Sequence, residues 1–253
     1  MSEFLTEFLN ESGSAPDTLF DQPRAPVRPF EFDAAVAQVF PDMVRRSVPG
    51  YRELVELIGL LARRLAQPGT CCYDLGCSLG AVTRSILRQV DPRVRIIAVD
   101  NAPAMIAGLQ ARLADVPGAE RVETRCADLC DLPVAEASVL VLNLTLQFIA
   151  PELRLELLRR LRAGLVPGGV LILAEKVRVA PGAGGHLLTA LHEDFKRAQG
   201  YSELAISRKR AALEQVLVPD TIETHEQRLL AAGFAGHTRW YQSLNFVAWV
   251  AWT

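Results

Sequence analysis

Lysine is almost missing from this chain. Only Lys176, Lys196 and Lys209 occur, so nearly all of the positive charge is arginine. With a formal net charge of -2 and a pI near 6.1 there is no general basic footprint of the kind a nucleic-acid-gripping protein usually shows. The shortage of lysine itself reads as compositional bias rather than as function. Long apolar runs are missing too, so no stretch is expected to cross a membrane, and no secretory leader is expected ahead of the first cysteines. Cysteine is sparse and odd in number, at 71, 72, 77, 126 and 130, and reduced, buried, cytoplasmic thiols are the expectation. Cys126 and Cys130 lack a second close pair or a neighbouring histidine, so no metal site is called for. What remains is 253 residues, 50% of them hydrophobic, enough for one full core.

The first stretch, 1–30, is poorly patterned. Pro16, Pro23, Pro26 and Pro29 prevent long regular structure, and a flexible N-terminal tail is expected, with a docking segment around Phe4, Leu5, Phe8 and Leu9 as the alternative. From residue 31 to 253 the pattern is that of a single α/β domain. A helical face begins at Ala35, breaks at Pro41 and resumes. A clear amphipathic helix follows over 52–65, with Leu54, Val55, Ile58, Leu61 and Leu65 on one side. Tyr51 stands at its entry, where it can pack or turn its hydroxyl toward a ligand.

Residues 71–80 organise everything after this. Cys71-Cys72-Tyr73-Asp74-Leu75 is a short buried strand, and Gly76-Cys77-Ser78-Leu79-Gly80 a sharp turn into a helix from Ala81. Glycine at such a turn lets the backbone bend and lie close to a ligand, and the helix start aims free N–H groups at the same spot. About twenty residues on, the spacing of one βαβ step, a second strand over 95–99 ends in Asp100-Asn101. An acid there can accept both hydroxyls of a ribose, or cap the helix that follows. Further strands are expected over 121–129 with Asp128 near the end, over 138–144 ending in Asn143, and over 170–174 ending in Glu175-Lys176 after the Pro167-Gly168-Gly169 turn. Polar residues at strand ends, one strand after another, mark the ligand crevice of an open α/β sheet.

The alternation then lapses. Residues 183–218 predict two helices around Gly200-Tyr201-Ser202, an insertion placed over the strand tips as a lid, with Arg197, Arg208, Lys209 and Arg210 upon it. Clustered cations on a lid suit an anion beneath, or simply a solvated face. A helix over 221–232 and an aromatic-rich antiparallel hairpin, 238–244 with 246–252, close the chain.

This plan resembles the class I S-adenosyl-L-methionine-dependent methyltransferase fold, a Rossmann-type, seven-stranded, mostly parallel sheet. The first turn departs from that pattern, because Ser78 stands where the middle glycine would be. Taken with Val39-Phe40-Pro41-Asp42-Met43, Arg46 to Tyr51, Asp100-Asn101, Asn143, His192 to Arg197, and Gly200 through Arg210, the chain is similar to the carboxy-S-adenosyl-L-methionine synthase family. The resemblance implies that S-adenosyl-L-methionine is a substrate rather than a methyl donor. Its sulfonium methyl would gain a carboxyl group from prephenate, which leaves as phenylpyruvate. A separate tRNA carboxymethyltransferase would use the product at the wobble uridine, so this chain would touch neither nucleic acid nor membrane. A homodimer and no metal are likewise implied.

Carried over by residue, Tyr51 would meet the amino-acid end of the nucleoside and Gly76, Cys77 and Ser78 would line its turn. Asp100 and Asn101 would hold the ribose, Asp128 and Leu129 would flank adenine, and Asn143 would lie at the sulfonium end. Arg210 would bind the new carboxylate, and Arg210 and Tyr201 would be the catalytic residues. No residue is an obvious base. The decarboxylating donor could supply it, with Glu175 and His192 as weaker candidates. The rival readings are a conventional methyltransferase for a small molecule or RNA, a non-catalytic nucleotide-binding module, and a dinucleotide-dependent dehydrogenase. The run Asn143-Leu144-Thr145-Leu146 lacks the prolines that amino-group methyltransferases often carry there.

Overall fold

Short, nearly continuous apolar runs, separated by amphipathic stretches of period 3.6, have one economical solution: a sheet covered by helices on both faces. The computed structural model describes residues 15–21, 30–214 and 216–253. Its sheet has seven strands in the order β3-β2-β1-β4-β5-β7-β6. They are β1 (Cys71–Leu75), β2 (Arg95–Asp100), β3 (Val122–Cys126), β4 (Ala137–Asn143), β5 (Leu165–Lys176), β6 (Gly236–Ser243) and β7 (Phe246–Trp252). The first five pair in parallel, and β7 runs antiparallel to both β5 and β6. The helices are α1 (Ala34–Ser47), α2 (Tyr51–Leu65), α3 (Ala81–Gln89), α4 (Pro103–Leu113), α5 (Arg154–Ala163), α6 (Ala183–Ala198), α7 (Glu203–Glu214) and α8 (Ile222–Ala231).

The strands divide their side chains between two cores. Cys72, Ile96, Ala98, Val139 and Val141 face α2 and α3, meeting Leu54, Ile58 and Ile86. Their sequence neighbours Tyr73, Leu75, Ile97, Leu140 and Leu142 face the other way, onto Leu157, Leu158 and Leu161 of α5. Both faces being covered is why β1 and all of β4 but its last residue are buried, and each fully buried Leu or Ile contributes roughly 1.5–3 kcal/mol. From β1 the chain moves outward to β2 and β3, then returns to add β4 on the opposite side. The crevice beyond the carboxyl ends of β1 and β4 is therefore the switch point where such sheets bind ligands.

Three local expectations need correction. α1 runs through Pro41 without a break. The missing N–H is one lost hydrogen bond, and Val39, Met43 and Val44 are buried on either side of the proline, so packing holds the helix together. The pattern predicts a helix from Pro151 through Leu165, but α5 starts at Arg154 and stops at Ala163, because the Gly164 N–H closes its last turn and Leu165 pairs with Ala137 of β4 instead. Pro167-Gly168-Gly169 then lies within β5 as an irregularity, with pairing resumed at Val139 and Val170.

The lid is two helices, α6 and α7, docked on the end of α1. Arg46 Nε donates to Gln199 O at 2.8 Å, and its guanidinium lies 3.9 Å from the centre of the Tyr201 ring. Of the stretch expected as a flexible tail, 1–14 and 22–29 lie outside the described residues. Residues 15–21 are described, and Asp17 among them is buried under the lid. Its backbone N–H donates to Asp42 Oδ2 at 2.8 Å, while its carboxylate accepts the Tyr201 hydroxyl and lies 3.2 Å from the Lys209 ammonium. An acid matched to a buried lysine from 192 residues away is not visible in local patterning.

Candidate active site

At the end of β1 the backbone turns back on itself. Gly76 and Cys77 both donate N–H to Val99 O, at 2.8 and 2.9 Å. Gly76 has φ +80°, and a Cβ there would come within 2.4 Å of the Thr145 side chain, so the turn passes hard against the loop after β4. Ser78, at the place of the expected middle glycine, takes φ +49°. It is held there by Asp100, whose Oδ2 accepts the Ser78 N–H at 2.9 Å while Oδ1 accepts the Ala102 N–H at 2.9 Å. One carboxylate thus fixes the first turn and the backbone that leads into α4, with lone pairs left over for hydroxyls. Burial raises its pKa against those two amides. Asp74 lies beneath, fully buried, accepting the Thr83 hydroxyl at 2.6 Å, and burial pushes it up to about 7. Cys77 is kept firmly as a thiol by burial and by these two acids, so it has no nucleophilic character.

Around this turn lies one crevice. Tyr51, Gly76, Cys77, Ser78, Asp100 and Asn101 line it from β1, α2 and β2. Asp128, Leu129 and Asn143 line it from the loops after β3 and β4. Asp128 is exposed and accepts the Cys130 N–H on Oδ1 at 2.8 Å. The Asn143 Oδ1 is buried with no hydrogen-bond partner among the described residues, an acceptor waiting for a donor group. Acids at a ribose position, an unpaired amide oxygen, and a glycine turn with no room for a side chain together fit an S-adenosyl nucleoside.

The two residues expected to be catalytic lie off this wall. Tyr201 is buried among Asp17, Arg46 and Lys209, and its hydroxyl is spent on the Asp17 carboxylate. Arg210 is half exposed on α7 and pairs with Glu193 of α6. It is near enough to the crevice to press on the charges of Lys176, Lys196 and His192. Of the two base candidates, Glu175 is fully buried behind the crevice. Its Oε1 accepts the N–H groups of Thr145 and Leu146 (3.1 and 2.8 Å), and its Oε2 that of Gln147 (3.0 Å). It holds the loop that carries Asn143. His192 does line the crevice, but burial first, then Lys196, push its pKa down to about 3. With Nε2 2.8 Å from Ser47 O, it is a neutral ring that donates to a carbonyl.

The largest omission concerns lysine. Lys176, Lys196 and Lys209, every lysine in the chain, line this one crevice. Compositional bias does not account for that. The signal was present in the sequence as scarcity: residues so rare, two of them inside the lid insertion, invited a common explanation. An aromatic wall was also missed. Phe32 packs edge-on to Phe40 (6.1 Å between centroids) and to Phe148 (5.3 Å), and all three line the crevice.

Comparison with known proteins places this geometry. Residues 73–169 match a family described as a methyltransferase domain. The structure of the S-adenosylmethionine-dependent methyltransferase SibL superposes with a TM-score of 0.60 at 19% identity, covering 99% of this chain and 68% of that one. Mitomycin 7-O-methyltransferase MmcR gives 0.57 at 13%, covering 86% and 56%. The sheet order, the turn and the acid at the end of β2 thus define a class I methyltransferase fold. Closer relatives narrow it: carboxy-S-adenosyl-L-methionine synthases of Pseudomonas putida and Citrifermentans bemidjiense are 52% and 49% identical, over 93% of this chain and 98% and 97% of theirs. The chain belongs to the carboxy-S-adenosyl-L-methionine synthase family, and it is an enzyme.

Proposed function

We propose that this enzyme moves a carboxyl group from prephenate to the sulfonium methyl of S-adenosyl-L-methionine, giving carboxy-S-adenosyl-L-methionine and phenylpyruvate. The observation that carries the reading is that the crevice of Asp100 and Asn143 continues beneath a two-helix lid. A methyl transfer between two stable molecules does not need such a cover. A carbanion beside positive sulfur does, because water would quench it. The donor's carbon–carboxyl bond breaks to release carbon dioxide, its electron pair moves into the ring and makes it aromatic, and the ring hydroxyl leaves as hydroxide with the C–O bond pair. That hydroxide takes a proton from the sulfonium methyl to form water, and the methyl carbon bonds to carbon dioxide. No side-chain base is required, in keeping with a neutral, weakly basic His192 and a Glu175 turned away.

In this reading Asp100 and Asn101 hold the ribose, Asp128 and Leu129 flank adenine, and Tyr51 and Asn143 meet the methionine end. Arg210 exchanges Glu193 for the new carboxylate. The enzyme works in the cytoplasm as a homodimer, without metal, and passes its product to a separate enzyme that modifies the wobble uridine of tRNA. The test is mass spectrometry of the nucleoside after incubation with S-adenosyl-L-methionine and prephenate. A species heavier by one carbon dioxide, with phenylpyruvate formed in step, is expected. Prephenate left untouched, with only S-adenosyl-L-methionine or its demethylated form recovered, would return the enzyme to conventional methyl transfer or to simple nucleotide binding.

A further inference from the structure

The three lysines of the crevice are not equivalent. Lys209 is satisfied where it stands, 3.2 Å from Asp17 Oδ2 and donating to Ser47 Oγ at 2.9 Å and to the Tyr201 hydroxyl at 3.0 Å. Lys176, at the end of β5, and Lys196, in α6, have no such partners. Among the described residues neither ammonium has an acid within ion-pair distance or a hydrogen-bond acceptor, although both are withdrawn from solvent and line the crevice. Their surroundings are positive. Lys176 and Lys209 both press on Lys196, and Arg210 presses on Lys196 and Lys176. The acid that acts on Lys196, Glu193 of α6, is already shared by Arg197 and Arg210. Uncompensated charge of one sign inside a cleft is costly to the fold, and a ligand of opposite charge removes the cost. The wall nearby offers Phe32, Phe40 and Phe148, which suit a ring rather than a second sugar.

We infer that Lys176 and Lys196 form the subsite for a cyclic dicarboxylate donor, one ammonium to each carboxylate, with Lys209 fixed behind them as a third positive charge. This rests on the carboxyl-transfer reading and gives that reading its second substrate pocket. It also assigns the lysines to the substrate that supplies the carboxyl group, and leaves Arg210 to the product. The groups facing Lys196 are Lys176 of β5, His192 and Glu193 of its own helix, and Lys209 and Arg210 of α7. Burial, then the neighbouring lysines, hold its pKa at about 7. A dianion favours the ammonium, so the donor binds best below pH 7 and progressively less well as Lys196 loses its proton above it.

The experiment compares Lys176→Gln and Lys196→Gln with the wild type in steady-state turnover of S-adenosyl-L-methionine and prephenate. Each variant is expected to raise the prephenate KM by roughly tenfold or more, the weight of a charge-assisted hydrogen bond. The Kd for S-adenosyl-L-methionine, by calorimetry, should stay within about twofold. In the wild type the prephenate KM should climb with pH above 7, and in Lys196→Gln that climb should flatten. Lys196→Arg should restore much of the donor affinity and, with its permanently charged head, also lose the pH dependence. An unchanged prephenate KM in both variants, while the wild type turns over, overturns the subsite and leaves the carboxyl-transfer reading intact. So does an equal loss of affinity for both substrates, which would mean a structural role. If the wild type makes no product, that reading fails separately, and equilibrium binding of prephenate decides the subsite: binding weakened by both substitutions upholds it, and no binding, or binding indifferent to them, ends it.

Discussion

Asp100 receives the Ser78 amide on one oxygen and the Ala102 amide on the other, so replacing it strips two N–H groups of their partner at once. Asp100→Ala should lower stability by about 1–3 kcal/mol for each amide that water cannot reach, and weaken S-adenosyl-L-methionine binding roughly 10- to 100-fold. Thermal melts and calorimetry would measure both losses, and a variant with unchanged affinity would remove Asp100 from the ribose. Arg210→Ala makes the opposite case. Its side chain is half exposed and, among the described residues, tied only to Glu193, so the fold and the nucleoside Kd should hold while the carboxylated product disappears from the mass spectrum. The residues around the glycine turn were legible because each sits at a strand end, within a few positions of a visible pattern break. Tyr201 was assigned to chemistry without a local reason, and the structure gives its hydroxyl to Asp17, a residue in the stretch dismissed as tail. The lysines escaped for a related cause: what unites them is their meeting in space, and single positions in α6, α7 and β5 do not announce that.

The loop after β4 depends on a carboxylate from the neighbouring strand. Glu175 has two oxygens for three amides, and Gln offers only one oxygen, so Glu175→Gln turns an NH2 group toward the Gln147 N–H. The expected loss is about 1–3 kcal/mol in denaturant unfolding, with a weaker hold on S-adenosyl-L-methionine because Asn143 begins the same loop. The lid has its own tie. Asp17→Asn removes the negative charge paired with Lys209 and leaves Tyr201 only a neutral amide acceptor, and faster amide exchange should follow across α6 and α7 while β1 to β5 stay protected. Equal acceleration throughout would show that the contact supports the whole fold instead. Helices and strands of this kind were readable in type and order from period alone. Their ends were not, since Pro41 and Pro167-Gly168-Gly169 are local breakers overruled by burial and by pairing with β4.

Across the molecule, buried ionisable groups pull stability in opposite directions with pH. Burial raises Asp74 to about 7 and Glu175 to about 8, so the folded state holds protons that the unfolded chain releases, and stability from these two falls as pH rises above 4. Burial lowers His192 to about 3 and His225 to about 4, so below 6.5 the unfolded chain takes up protons that the fold refuses, and stability from these two rises with pH up to 6.5. Shifts of similar size and contrary sign make the wild-type profile shallow between pH 4 and 6.5, and a melt of the wild type alone would hide both. His225 separates them. It packs on Trp249 at 5.1 Å, away from the crevice, and neither ring nitrogen has a hydrogen-bond partner among the described residues. His225→Phe keeps a flat ring against that indole and removes one titration. Its stability should match or exceed the wild type at pH 7. The margin should then grow as pH falls from 6.5 to 4, by on the order of 3 kcal/mol, and level off below. Nucleoside affinity should stay unchanged throughout, since neither His225 nor Trp249 lines the crevice. A margin that stays constant with pH would mean that His225 already carries its proton in the folded state, paired with Asp220, a neighbouring charge that favours it.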